Sequence, residues 1–460
     1  MKRIWLVLVM ITGMTMARPM LQLPAPERMV LPNGLTVYCL QDAGLPLVAF
    51  RMMIRDAGVA SEPADQEGLA DLGATLMMKG AAGQSALQVA EAIDYLGASL
   101  DINASEEFLS VSGQSLTRYW PELLKLTADC LLKPAFSEEE FGKEVDRRVD
   151  EITSLKDEPA AAIRYYFRKA YFQNHPFGHL TLGSEASLPK LTVADVRQWH
   201  SKALQPRQAI LAVVGDIKPA ELRRQLEKQF QTWKNTAAKT NAVKPAAFPK
   251  PSARRCLLIN KTDAAQAYFI LGGPGAAMGD AHNAPNSVMN TLFGGRFTSW
   301  LNNELRVKRG LTYGARSGME SWQQEGLYTI SSYTRNEKIG EMLQVCFELL
   351  HKARNGGFTD DEVTSSRNYI LGQFPPRFET LGSKARAYTD LAFYGLAFDY
   401  YSTYLGNVQA STVEQVNEQA RALLPLDRYV LVVVGKAEEI LDQLKPYGEW
   451  TVKSITEAGF

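Results

Sequence analysis

The sequence predicts an α+β protein: two like α/β units joined by an extended linker. Three observations carry this. Alternating strand patterns such as Leu35-Thr36-Val37-Tyr38-Cys39-Leu40 are interspersed with helical stretches such as Glu122-Leu123-Leu124-Lys125-Leu126-Thr127-Ala128-Asp129-Cys130-Leu131-Leu132. The chain also repeats itself, since Cys39 and Cys130 are matched by Cys256 and Cys346 at offsets of 217 and 216 residues. Finally, the run from Lys234 to Pro251, rich in Ala, Lys and Pro, has no apolar period and reads as an extended linker.

Other pairs keep the repeat. Phe136-Ser137-Glu138-Glu139-Glu140-Phe141 mirrors Phe358-Thr359-Asp360-Asp361-Glu362-Val363, each an N-cap followed by acidic first-turn residues. The apolar strand Ala209-Ile210-Leu211-Ala212-Val213-Val214-Gly215 mirrors Tyr429-Val430-Leu431-Val432-Val433-Val434-Gly435. The expected division is a signal peptide over 1–17, a first unit over 18–233, a linker over 234–254 and a second unit over 255–460.

With 460 residues the chain is too long for one ordinary core, in keeping with two units. Hydrophobic residues at 46%, charged residues at 22% and a net charge of zero describe a globular protein. There is no basic surplus of the kind nucleic-acid binding requires. Met1-Lys2-Arg3 followed by the apolar run Ile4–Ile11 reads as the charged and apolar regions of a signal peptide, and Thr15-Met16-Ala17 as its cleavage site. The apolar run is shorter than the roughly 20 residues that span a bilayer. No Cys near the cleavage site offers a lipid anchor, so the mature chain from about Arg18 is expected to be soluble and periplasmic.

The first unit is organised around the stretch Glu67–Gly80. Leu69, Leu72 and Leu76 form one apolar stripe of an amphipathic helix, Gly80 can stop it, and Asp71, Thr75 and Met78 share a second face. The frame Gly-Leu-Ala, then Met-x-Lys-Gly, resembles the zinc-binding helix of the pitrilysin/insulinase family, in the branch of the mitochondrial processing peptidases. In that family His-x-x-Glu-His on this helix binds zinc and activates a water. Here the matching positions are Asp71, Ala74 and Thr75, which supply no imidazole and no general base. The third ligand of the family is a Glu further on in a Val-x-x-x-Glu-Ile context before Asp-x-Pro. It is matched by Glu151, with 75 residues between Thr75 and Glu151, followed by Asp157-Glu158-Pro159. One carboxylate cannot provide the three protein ligands of a catalytic zinc. Asp71 with Glu151 is also too few for a hard cation.

Other metal or covalent chemistry has little support. His175 and His179 flank Pro176 and Gly178, so they lie on a loop, matching the family's Pro-x-Gly loop. His200, His282 and His351 are isolated. An exported protein meets an oxidising compartment, which invites disulfides among the four Cys, but they recur on one apolar strand and one apolar helix per unit, where small buried hydrophobes would stand, and we favour free thiols. Gly272-Gly273-Pro274-Gly275 lacks the Lys-Ser/Thr or helix-opening pattern of a phosphate loop and reads as a strand-ending turn.

The informative passage of the second unit runs from Phe293 to Gly314. Trp300, Leu301 and Leu305 form one face of a helix that Gly310 ends, so Arg306 projects from its last turns and Tyr313 opens the next strand. Taken singly, Arg306 would be a cation near a helix end and Tyr313 a strand aromatic. The whole passage, however, resembles the family's second signature, Leu-Arg-x-Lys-x-Gly-Leu-x-Tyr. Its Arg and Tyr grip the peptide substrate near the scissile carbonyl. A guanidinium and a phenol can donate to a peptide carbonyl and to the oxyanion formed on attack.

The resemblance implies a fold in which each half is a mostly antiparallel sheet covered by helices. It also implies a division of labour: a heterodimer whose paralogous partner carries the zinc, while this chain binds an extended peptide against a strand edge with Arg306 and Tyr313. On its own the chain is then neither zinc-binding nor an active peptidase. The alternative is a non-proteolytic structural or peptide-holding protein of the same fold.

Overall fold

The computed structural model describes residues 21, 23–235 and 247–457. The signal-peptide reading therefore lies outside the described residues, as does most of the linker. Two six-stranded sheets dominate. In the first, the strands lie in the order Glu27–Val30, Thr36–Gln41, Ala209–Gly215, Leu47–Arg55, Phe108–Leu116, Ser99–Ala104. In the second, from the corresponding edge, they lie in the order Trp450–Ser454, Arg255–Asn260, Val430–Gly435, Gln266–Gly275, Gly326–Arg335, Ala315–Ser321. Most neighbours are antiparallel. The exceptions are Thr36–Gln41 with Ala209–Gly215, and Arg255–Asn260 with both Val430–Gly435 and Trp450–Ser454. The repeat read in the sequence is thus a repeat of strand order.

The apolar strands Ala209–Gly215 and Val430–Gly435 are buried along their whole length. Continuous burial requires cover on both faces, and each half supplies only one layer of its own helices. The other layer is exchanged. Helix Pro159–Phe172 of the first half lies on the second sheet, where Ile163 and Phe167 join Ile270, Val430 and Val432 in one core. Helix Leu381–Tyr394 of the second half lies on the first sheet, where Leu381, Ala385 and Tyr388 pack on Ala49, Met53 and Val214. Burial of Ile163, Phe167 and Phe172 alone contributes on the order of 1.5–3 kcal/mol each.

Polar contacts fix the exchange. Arg51 pairs with Asp390 at 2.6 Å, and Arg55 stands over the Phe393 ring at 4.3 Å while donating to the Ala392 carbonyl. Tyr166 on the exchanged helix of the first half donates to the Ile455 carbonyl of the second half at 3.1 Å.

One sequence reading changes here. Gly272–Gly275 is not a turn but the end of strand Gln266–Gly275, still paired to Gly326–Thr329. The glycine is there for close approach, because a Cβ on Gly272 would stand 2.3 Å from Cζ of Phe167 on the exchanged helix. At the described end of the linker run one side chain is packed. Phe248 packs edge-on against Phe172 and Phe177 and tilted against Trp322, with centroids 5.3–5.7 Å apart. The four Cys are free and buried, and burial pushes Cys39, Cys130 and Cys346 up to about 12.

Candidate functional site

Helix Leu69–Met77 forms as its pattern requires, with Leu69, Leu72 and Leu76 buried in the core. Its first residues have no side-chain cap of their own. Instead, the Glu62 carboxylate accepts from the N–H groups of Gly68 (3.2 Å) and Ala70 (2.7 Å), and lies 3.0 Å from His179 Nδ1. Free N–H groups at a helix start favour an acceptor there. Burial pushes the Glu62 carboxyl up to about 7, against the pull of His179 and the two N–H groups.

The face bearing Asp71 and Thr75 looks toward helix Glu138–Asp157. The side chain it meets there is Arg148, whose guanidinium donates to Asp71 Oδ2 and to Thr75 Oγ1, both at 2.9 Å. Glu144, one turn before, lies 3.4 Å from Arg148 Nε. Arg148 is 1% exposed, Glu144 5% and Asp71 24%. Burial works against ionisation of Glu144, but the Arg147 hydrogen bond and the charges of Arg147, Arg148 and Lys79 outweigh it and hold Glu144 below the usual carboxylate range.

Glu151 does not join this cluster. It is exposed and pairs with Arg147 at 2.8 Å. Ala74 is fully buried in the core. Among the described residues no three or more His, Cys, Asp or Glu side chains are grouped to hold a metal ion. A zinc does not fit here, because the positions of its two helix ligands already share a buried guanidinium. The partner of Asp71 and Thr75 on this helix is not Glu151 but Arg148, which the sequence reading missed. Arg148 stands three residues before Glu151 on the same helix, yet it is buried where Glu151 is exposed.

The histidines are absorbed locally. His175 Nδ1 accepts from Phe177 N–H at 3.2 Å, and His200 Nε2 lies 2.8 Å from the Leu131 carbonyl, its pKa lowered by burial. His282 is exposed beside Asp280, and His351 is exposed on helix Ile339–Arg354.

In the second half, Trp300, Leu301 and Leu305 are buried as expected. From Asn302 to Lys308 the segment is a π-helix, with one extra residue per turn, and Gly310 ends it with φ +61°. Such insertions are frequent at functional sites. Asn302 locks the segment to the sheet: its Oδ1 accepts from Ala315 N–H at 3.1 Å and its amide donates to the Arg296 carbonyl. Tyr313 does not open the strand, which begins at Ala315. It sits in a turn held from behind, where Thr312 Oγ1 and Ser332 Oγ both donate to the Gly314 carbonyl, and its side chain is 81% exposed.

Arg306 and Tyr313 line one cavity of about 650 Å³. The Arg306 guanidinium lies 4.6 Å above the ring of Phe297, itself 64% exposed. Arg164, on the helix exchanged from the first half, and Arg316, on the edge strand, line the same cavity, and neither stands out in the sequence.

Comparison with known proteins decides the family. The model described as Insulinase (Peptidase family M16) matches residues 39–185, and the model described as Peptidase M16 inactive domain matches residues 190–370. The chain belongs to peptidase family M16. Among its relatives, a protein of Bacillus subtilis named an uncharacterized zinc protease is 24% identical, over 89% of this chain and 98% of that one. A protein of Helicobacter pylori named a non-peptidase homolog is 22% identical, over 86% and 90% respectively. The crystal structure of a peptidase M16 inactive domain from Pseudomonas fluorescens superposes with a TM-score of 0.82 at 24% identity, covering 90% of this chain and 98% of that one. A structure of a protease from Helicobacter pylori gives 0.84 at 20% identity, covering 90% and 100%. The solved structures agree with the two-sheet M16 fold, and of the names only the inactive-domain model and the non-peptidase homolog fit the loss of the zinc motif.

Proposed function

We propose that this M16 chain is the substrate-binding, non-catalytic subunit of a heterodimeric, periplasmic zinc peptidase. Its partner is a paralogue that keeps His-x-x-Glu-His and the zinc. The observation that carries the reading is the contrast between the two halves. The metal position is filled by Arg148, whereas Arg306 and Tyr313 are held at the rim of an open cavity by a π-helix and a braced turn. In this role Arg306 and Tyr313 donate hydrogen bonds to a carbonyl of an extended peptide laid along the edge strand Ala315–Ser321.

The test is peptide cleavage by each chain alone and by the mixture after co-expression with the paralogue. Turnover is expected only in the mixture. Arg306→Ala and Tyr313→Ala should each lower it about a hundredfold while size-exclusion chromatography shows unchanged assembly. Unchanged turnover removes the substrate-gripping role. A second reading, a non-proteolytic peptide-holding or structural protein, is favoured by the name of the Helicobacter relative. It predicts no turnover in any mixture.

A further inference from the structure

The lining of this cavity also indicates which peptides it takes, an inference that rests on the peptide-binding reading above. Three guanidinium groups from three elements face it: Arg164 on helix Pro159–Phe172, Arg306 on the π-helix and Arg316 on the edge strand. Among the described residues no Asp or Glu lines it. Among those same residues Arg147, Arg148, Arg168 and Arg354 are all ion-paired, and none of these three is. Among the described residues Arg316 reaches Ser331 Oγ, at 3.4 Å, and Arg306 stands over the Phe297 ring. Two acidic groups act on residues of the cavity: Glu320, which lies 3.8 Å from Arg168 and also feels the charge of Arg164, and Glu158, whose charge is felt by Tyr268. The chain as a whole is neutral, so the positive surplus is local.

Fixed like charges in a concave wall focus their field into the cleft, and a guanidinium matches a carboxylate with two parallel hydrogen bonds. The Tyr268 and Tyr333 rings, stacked at 5.3 Å, add a flat, uncharged wall. We propose that this cavity selects peptides carrying carboxylates beside the segment that Arg306 and Tyr313 grip, and disfavours basic ones.

The test measures fluorescence anisotropy of labelled, acetylated and amidated decapeptides that differ only in two central residues, Glu, Gln or Lys. A further Gln peptide carries a free C-terminal carboxylate. At about 10 mM salt the Glu peptide should bind about tenfold more tightly than the Gln peptide, and the Lys peptide more weakly than either. The advantage should shrink toward about 0.15 M salt as screening sets in. If the free C-terminus carries the advantage instead, the carboxylate selection stands and its source is the chain end. The double variant Arg164→Gln, Arg316→Gln, checked for an unchanged melting profile, should bring the Glu-to-Gln ratio to about twofold or less. Peptides that bind irrespective of charge, or Lys peptides that bind best, overturn the proposal while leaving the peptide-binding role intact. Binding of no peptide at all overturns both.

Discussion

Replacing Arg148 by Met removes the cation that stands where the family holds a metal, and keeps most of the side-chain volume. The guanidinium is 1% exposed and makes two hydrogen bonds of 2.9 Å, to Asp71 and Thr75, besides its proximity to Glu144. Breaking a buried pair by removing one partner costs about 3–5 kcal/mol, because the other charge stays buried and uncompensated. Two features reduce that figure: Asp71 is 24% exposed, and Glu144 keeps its bonds to Arg147 at 3.1 and 3.2 Å. We therefore expect about 2–3 kcal/mol, or roughly 5–10 °C in the melting of the first half. Trp120, Trp199 and Trp233, all buried there, provide the fluorescence signal. A double-mutant cycle with Asp71→Asn should show about 1–2 kcal/mol of coupling. Melting of Arg148→Met within about 1 °C of the parent chain, a threshold of about 0.3 kcal/mol, would refute the account of Arg148 as the pin of this site.

Metal binding gives a companion outcome: the purified chain should carry no stoichiometric zinc by elemental analysis, and the triple variant Asp71→His, Ala74→Glu, Thr75→His should not restore it while Arg148 remains. For Glu62 the sign follows from its raised pKa. Between the ordinary carboxyl value of 4.5 and about 7 the folded state holds a proton that the unfolded chain releases, so stability is full below that window and declines as pH rises through it. Glu62→Gln should remove up to about 3 kcal/mol of that pH dependence, read as the difference in urea midpoints between about pH 5 and about pH 8. A slope identical to the parent's would place the Glu62 proton elsewhere. Gly272→Ala should cost about 1–3 kcal/mol, because its Cβ would meet the Phe167 ring at 2.3 Å, and peptide affinity should fall with it; an unchanged melting midpoint counts against close packing there.

Much of this was legible in the sequence, and the exceptions have physical reasons. The Leu69, Leu72, Leu76 stripe and the caps at Ser137 and Thr359 are local signals, and both caps form as read. The repeat was legible because it preserves strand order. The exchange of helices was not, since a helix packed on the other half's sheet has the same apolar stripe as one packed on its own. Arg148 was hidden in Glu138-Glu139-Glu140-Phe141-Gly142-Lys143-Glu144-Val145-Asp146-Arg147-Arg148, a run that reads as a solvated face. Only tertiary contact separates buried Arg148 from its half-exposed neighbour Arg147. The π-helix around Arg306 was invisible because an added residue per turn changes geometry without changing composition. Gly272 was misread because glycine marks both turns and close approach, and only the position of Phe167 tells them apart.

The exchanged helices also explain why a half without a metal is kept intact. Helix Glu138–Asp157, pinned by Arg148, breaks before Pro159, which opens the helix that crosses to the second sheet. Arg164 on that helix faces the cavity of Arg306 and Tyr313. Burial first, then the charge of Glu151 and more weakly that of Asp71, raise the pKa of its neighbour Tyr165, with Arg164 opposing. On either side of Pro159, then, Arg148 stands at the position matching the family's metal site and Arg164 at the cavity of Arg306 and Tyr313. A guanidinium suits the vacated position better than an apolar plug would, because it keeps the polar face of helix Leu69–Met77 satisfied and holds both helices at the spacing that sets Arg164. On this argument the first half persists as the second wall of the binding site, and loss of Arg148 should weaken peptide binding although no peptide touches it.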